Sequence, residues 1–140
     1  MADEGSSNHS EPIIYIDHCD IRDGRLEELK AGIRHVVDFL DSREPQLMTY
    51  GFHIDEEGSR MTVVAVHPDS ASLEFHMEIG GPEFRKLADF ISLRAIEVYG
   101  RPSGKALEQL RQKASALGDG GTVVSTGRYA GFTHVPLVTT

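Results

Sequence analysis

Gln46-Leu47-Met48-Thr49-Tyr50-Gly51-Phe52-His53-Ile54-Asp55 and, beyond Glu56-Glu57-Gly58-Ser59, Met61-Thr62-Val63-Val64-Ala65-Val66-His67 decide how the chain is read. In the first run Met48, Tyr50, Phe52 and Ile54 share one face, while Leu47, Thr49, Gly51, His53 and Asp55 share the other. That two-residue period is the mark of a half-buried strand. The second run is β-rich, and the short Gly-containing link predicts a hairpin.

Each flank of the hairpin adds a strand and a helix. Upstream, Ile13 to Cys19 is rich in β-branched and aromatic residues with apolar groups on both faces, and Asp20 to Gly24 supplies a turn. From Arg25 the period changes: Leu26, Leu29, Ile33, Val36, Val37 and Leu40 lie on one side of a helix that must stop before Pro45. Downstream, Pro68 to Ser72 breaks the strand, and Ser70 or Ser72 is placed to cap a helix over Leu73 to Met77. Gly80-Gly81-Pro82 interrupts it, and Phe84, Leu87, Phe90 and Ile91 resume helical spacing. Leu93 to Tyr99, closed by Gly100 and Pro102, is a fourth strand.

The resulting order, βαββαβ, predicts an α+β ferredoxin-like domain over residues 13–100, with two helices on one face of a four-stranded antiparallel sheet. The other face, expected to carry groups such as Ile13, Tyr15 and Ile54, would expose a large apolar patch. A homodimer joined through that open face is the expected cover. Residues 1–12 are polar and acidic and are expected to form a disordered tail. Residues 101–140 form an extension with a helix over Ser103 to Leu117. One or two short strands are expected at Thr122 to Ser125 and Tyr129 to Val135, packed on this sheet or on the partner's.

The 140 residues carry a formal net charge of −8, with a pI near 5.3, which argues against a nucleic-acid partner. No apolar run approaches the ~20 residues that cross a bilayer, so no membrane association and a cytoplasmic address are expected. Cys19, the single cysteine, reads as a small core residue.

Seven histidines raise the question of metal or acid–base chemistry. His18, His53 and His67 stand near strand ends with Asp17 and Asp55, but on separate strands their spacing encodes no metal site. Neither metal nor cofactor is expected. Tyr15, Tyr50 and Tyr99 read as core aromatics whose hydroxyls reach the surface. With Asp17 and His53 they are the candidate ligand contacts. Glu97 stands alone in an apolar strand, where an unpaired carboxylate is costly; it is expected to lie at the edge, to pair with a group such as Arg94 or Arg128 across the dimer, or to be functional. His76, on the second helix, is the candidate catalytic residue.

Three stretches resemble the antibiotic-biosynthesis-monooxygenase-like family of dimeric α+β barrels: Ile21-Arg22-Asp23-Gly24-Arg25-Leu26-Glu27-Glu28-Leu29, Tyr50-Gly51-Phe52-His53-Ile54-Asp55, and Ser72-Leu73-Glu74-Phe75-His76 followed by Phe84. They look like the family's strand-to-helix turn, its second strand, and its second-helix histidine followed by an aromatic. The resemblance spans roughly residues 13 to 99. It implies a cavity between sheet and helices with His76 at its edge, where a neutral imidazole accepts a phenolic proton. It further implies a small-molecule-binding protein, with cofactor-independent monooxygenation of a hydrophobic aromatic or quinol-like compound as the activity. Family members often carry an acidic residue and a tryptophan at the end of the third strand; this chain reads Val64-Ala65-Val66-His67 there and has no tryptophan. A non-catalytic dimeric structural or binding module is the alternative.

Overall fold

The computed structural model describes residues 11–118 and 120–134; most of the expected tail (residues 1–10) and Val135 of the last expected strand lie outside the described residues. Strand β1 (Ile13–Ile21) leads into helix α1 (Leu26–Arg43), which buries Leu29, Val36 and Leu40. Glu44, ahead of Pro45, takes φ −126 and ψ 69, which ends the helix there. Strands β2 (Thr49–Ile54) and β3 (Arg60–His67) form the hairpin. Its turn is set by Asp55, whose carboxylate accepts the Ser59 and Arg60 N–H groups at 2.8 and 3.1 Å, and by Gly58 at φ +70.

Helix α2 (Ser70–Ile79) is capped by Asp69, whose carboxylate accepts the Ser72 N–H at 2.8 Å; neither Ser70 nor Ser72 serves as the expected cap. The Ser70 hydroxyl is engaged elsewhere, accepting the Ser103 N–H at 2.7 Å. The break at Gly80 is present, but helix α3 is only Gly81–Arg85, and Ile91 opens strand β4 (Ile91–Tyr99) rather than closing a helix. Helix α4 (Gly104–Leu117) begins at Ser103, whose hydroxyl accepts the Ala106 N–H, and strand β5 (Thr122–Thr126) follows. Tyr129 to His134, expected as a strand, has no strand pairing.

The sheet order is β2-β3-β1-β4-β5. The first four strands are antiparallel neighbours, as the ferredoxin-like order requires. Strand β5 pairs parallel to β4 and extends the sheet to five strands. The extension thus attaches to its own sheet.

The two faces of β1 are opposite to expectation. Ile13, Tyr15, Asp17, Cys19 and Ile21 are the buried set and turn toward the helices. Tyr50, Phe52 and Ile54 align with Ala65, Val63 and Met61 on that same side. The open face carries Ile14, Ile16, Val64 and Val66 instead, all half-buried, so its apolar character stands on different residues. Glu97 is partnered within its own chain: His18 Nε2 lies 2.7 Å and the Tyr99 hydroxyl 3.2 Å from its carboxylate. Arg94 and Arg128 pair with Asp20 and Glu11. The β1–β4 register sets Ile16 opposite Glu97 and so brings His18 beside it.

Candidate functional site

Between the sheet and its helices lies a buried polar cluster centred on His76. Ser72, Leu73 and His76 are the buried positions of α2, and Leu73 anchors the helix in the core. The His76 ring is 3% exposed overall and is held at both nitrogens. Its Nε2 lies 2.6 Å from the Tyr15 hydroxyl of β1, and its Nδ1 lies 2.9 and 3.0 Å from the two oxygens of Glu44. Glu44 comes from the end of α1, where the chain turns inward ahead of Pro45. Gly80 makes room for it: a Cβ there would stand 3.0 Å from Glu44 Oε2 and 2.9 Å from the His76 carbonyl oxygen.

Aromatic neighbours fix the ring further. Tyr50 meets His76 edge-on with centroids 5.3 Å apart, and His67 lies 5.1 Å away. The Tyr15 ring stacks on His67 at 5.9 Å. His67 Nδ1 is 2.7 Å from the Ser72 hydroxyl. Beyond Tyr15, Lys113 of α4 donates to Asp17 Oδ2 at 2.6 Å, with both side chains essentially buried. Among the described residues, Asp17 Oδ1, the Tyr50 hydroxyl and His67 Nε2 are buried without a hydrogen-bond partner.

Burial sets the proton affinities. It pushes the Glu44 carboxyl up to about 7, with the Gln46 amide opposing, and pushes the His76 imidazole down to about 3, helped by the nearby Lys113 charge. His67 is likewise pushed down to about 3, by burial and then by His76. Burial raises the Tyr15 and Tyr50 phenols well above their ordinary range. Near neutral pH His76 is therefore neutral, and Glu44 holds its proton far more readily than an exposed carboxyl. The three groups can exist in two proton arrangements. With Glu44 ionised, Nδ1–H donates to Glu44 and the Tyr15 O–H donates to Nε2. With Glu44 protonated, its O–H donates to Nδ1 and Nε2–H donates to the Tyr15 oxygen. Going from the first to the second hands the Nδ1 proton to Glu44 and the Tyr15 proton to Nε2, and Tyr15, whose ionisation burial opposes, takes up a proton from outside the cluster. The Glu44 end meets the surface at a cleft of about 180 Å³ lined by Val37, Leu40, Glu44, Met48 and Tyr50, among others.

Of the residues singled out in the sequence, His76, Tyr15, Asp17 and Tyr50 come together in this cluster. His53 and Tyr99 do not: His53, opposite Thr62, and Tyr99 beside Glu97 are exposed on the open face. Glu44, Lys113 and Ser72 as a partner of His67 went unrecognised. Glu44 reads as one more polar residue of a helix exit, and the helix-ending Pro45 was the only signal. No three His, Cys, Asp or Glu among the described residues are placed to hold a metal. Cys19 is buried, and burial pushes its thiol up to about 12, which suits a core role.

No family model and no curated protein matches the chain. Solved structures do. MupZ from Pseudomonas fluorescens superposes with a TM-score of 0.66 at 19% identity, covering 93% of this chain and 100% of that one. SnoaB from Streptomyces nogalater, a cofactor-independent oxygenase, gives 0.56 at 11% identity, over 67% of this chain and 96% of its own. A candidate antibiotic biosynthesis monooxygenase from Nitrosomonas europaea gives 0.52 at 16% identity, over 59% and 81%. The coverage of MupZ is too large to leave out the C-terminal extension, so that likeness includes α4 and β5. The chain therefore has the ferredoxin-like fold of the antibiotic-biosynthesis-monooxygenase-like structures, enlarged by a helix and a fifth strand.

Proposed function

We propose that the protein is a cofactor-independent enzyme acting on a small hydrophobic aromatic or quinol-like compound, and that it works by proton transfer through Tyr15, His76 and Glu44. The observation that carries this reading is the His76 ring held at both nitrogens inside the protein, between a phenol and a carboxyl whose affinity for protons lies near neutrality. A phenolic substrate beside Tyr15 passes its proton to the Tyr15 oxygen as the Tyr15 proton moves to Nε2 and the Nδ1 proton moves to Glu44. The phenolate left behind is electron-rich, the property an oxygenase without a cofactor needs in a substrate that reacts with dioxygen. The fold shared with a cofactor-independent oxygenase is consistent with that chemistry. Homodimerisation through the open sheet face belongs to the same reading, since Ile14, Ile16, Val64 and Val66 otherwise face water.

A non-catalytic dimeric module is the second reading, favoured by the near-complete burial of Tyr15 and His76 at 0% and 3% exposure. Binding of 2-naphthol to wild type and to His76→Ala separates the two. The enzyme reading expects saturable binding that weakens tenfold or more in the variant, while absent or unchanged binding supports the module.

A further inference from the structure

We propose that Lys113, with Asp17 and the Tyr50 hydroxyl, forms a second polar pole that holds a hydroxyl group of the substrate, so that the enzyme selects compounds with two oxygen functions; this rests on the reading of the chain as a small-molecule enzyme.

The pole consists of groups that the proton relay does not use. Asp17 is fully buried, yet only its Oδ2 is occupied, by Lys113 at 2.6 Å; its Oδ1 has no partner among the described residues. The Tyr50 hydroxyl is likewise buried and unpartnered, and after burial itself the Asp17 carboxylate is what most opposes its ionisation. Lys113 has three N–H donors. One meets Asp17, and the ammonium otherwise lies against two aromatic rings, 4.0 Å from the Phe84 centroid and 5.0 Å from that of Tyr15.

Stability alone gives little reason for such a pair. Desolvating two charges offsets most of their attraction, and apolar residues of similar volume commonly serve as well or better. The unused valences describe a ligand instead. Asp17 Oδ1 accepts a hydrogen bond, whereas Lys113 and the Tyr50 O–H donate. A single ligand atom that satisfies both kinds must itself donate and accept, which describes a hydroxyl. A carbonyl or carboxylate oxygen would face Asp17 Oδ1 with no proton to offer.

Tyr15 links the two poles. Its ring faces Lys113 and its hydroxyl bonds His76, so a flat substrate with one oxygen beside the Tyr15 hydroxyl directs a second toward Asp17 and Lys113. Lys113 is supplied by α4, so the site is incomplete without the C-terminal extension.

The chain has no tryptophan, so naphthol fluorescence reports binding directly. The experiment compares 2-naphthol with 2,6-dihydroxynaphthalene on wild type, on Tyr50→Phe, and on the double variant Asp17→Leu/Lys113→Met, which removes both buried charges together and so leaves none unpaired. Wild type is expected to bind the diol at least tenfold more tightly than the mono-ol. Tyr50→Phe should lose several-fold of that preference and the double variant all of it, read in each protein as the ratio of its two affinities. Equal affinity of wild type for the two compounds, or a diol preference that survives in the variants, overturns the second pole and leaves the His76 reading standing. Binding of neither compound overturns both. If the double variant does not fold, the wild-type comparison and Tyr50→Phe still decide.

Discussion

Replacing Glu44 by glutamine tests the buried pair through stability and needs no knowledge of the substrate. In the folded chain burial raises the Glu44 carboxyl from 4.5 to about 7. An acid with a raised folded pKa binds more protons folded than unfolded between those values. Stability is therefore lost as pH rises from about 4.5 to about 7, and the full penalty stands above that. A displacement of that size corresponds to up to about 3 kcal/mol. The glutamine side chain has nearly the shape of the protonated acid, never ionises, and its amide can still donate to His76 Nδ1. Urea denaturation at pH 5, 7 and 8.5 should show wild type and Glu44→Gln within about 1 kcal/mol at pH 5, with the variant more stable by up to about 3 kcal/mol at pH 8.5. Groups common to both proteins cancel in the difference. A difference that does not change with pH would refute the reasoning, because Glu44 would then titrate as an ordinary carboxyl. A variant less stable at pH 8.5 would mean that the ionised Glu44 pairs with His76 at net gain.

Tyr15→Phe leaves His76 Nε2 buried without its 2.6 Å partner, so thermal denaturation should show a loss of about 1–3 kcal/mol, and turnover of a phenolic substrate should fall at least a hundredfold. Gly80→Ala places a methyl 2.9 Å from the His76 carbonyl and 3.0 Å from Glu44; a loss of about 1–3 kcal/mol is expected in urea unfolding, and none would show that the α2 end yields freely. Ile16→Glu puts a charge in the centre of the open face, and sedimentation should show a dimer in wild type and a monomer in the variant. Cys19, with its thiol pushed up to about 12, should react with a disulfide reagent at pH 8 only after unfolding; rapid labelling of the native protein would contradict its burial.

The scaffold was legible because its periods are clean. The strand pattern from Thr49 to His67 and the helical stripe Leu29, Val36, Leu40 each admit one secondary structure, and the element order follows from them, though Ile54, expected on the open face, turns toward the helices. Strand β1 was legible as a strand but not in its phase. Ile13-Ile14-Tyr15-Ile16 is apolar on both sides, so nothing local says which set meets the helices, and Tyr15 was assigned to the wrong face. The fifth strand's partner was undetermined for a related reason: Thr122 to Ser125 is too short to specify an edge. At the site, His76 was legible from its residue type and its resemblance to the helix histidine of known folds. Glu44 was not, since it stands 32 residues away in a run of ordinary polar helix-end residues and is buried at the turn that ends α1 ahead of Pro45. Lys113 looked like any polar position of an amphipathic helix, and only the topology that sets α4 over β4, the neighbour of β1, reveals Asp17 as its partner.

The central claim is that His76 is a neutral, buried relay between Tyr15 and Glu44. Nitrogen-15 NMR of the labelled imidazole from pH 4 to 8.5, with and without 2-naphthol, tests it most directly. The ring should remain neutral down to about pH 4, its nitrogen shifts should change near pH 7 as Glu44 titrates, and 2-naphthol should perturb them. A ring that protonates near pH 6.5 as in open water, and that ignores both Glu44 and the naphthol, would contradict it.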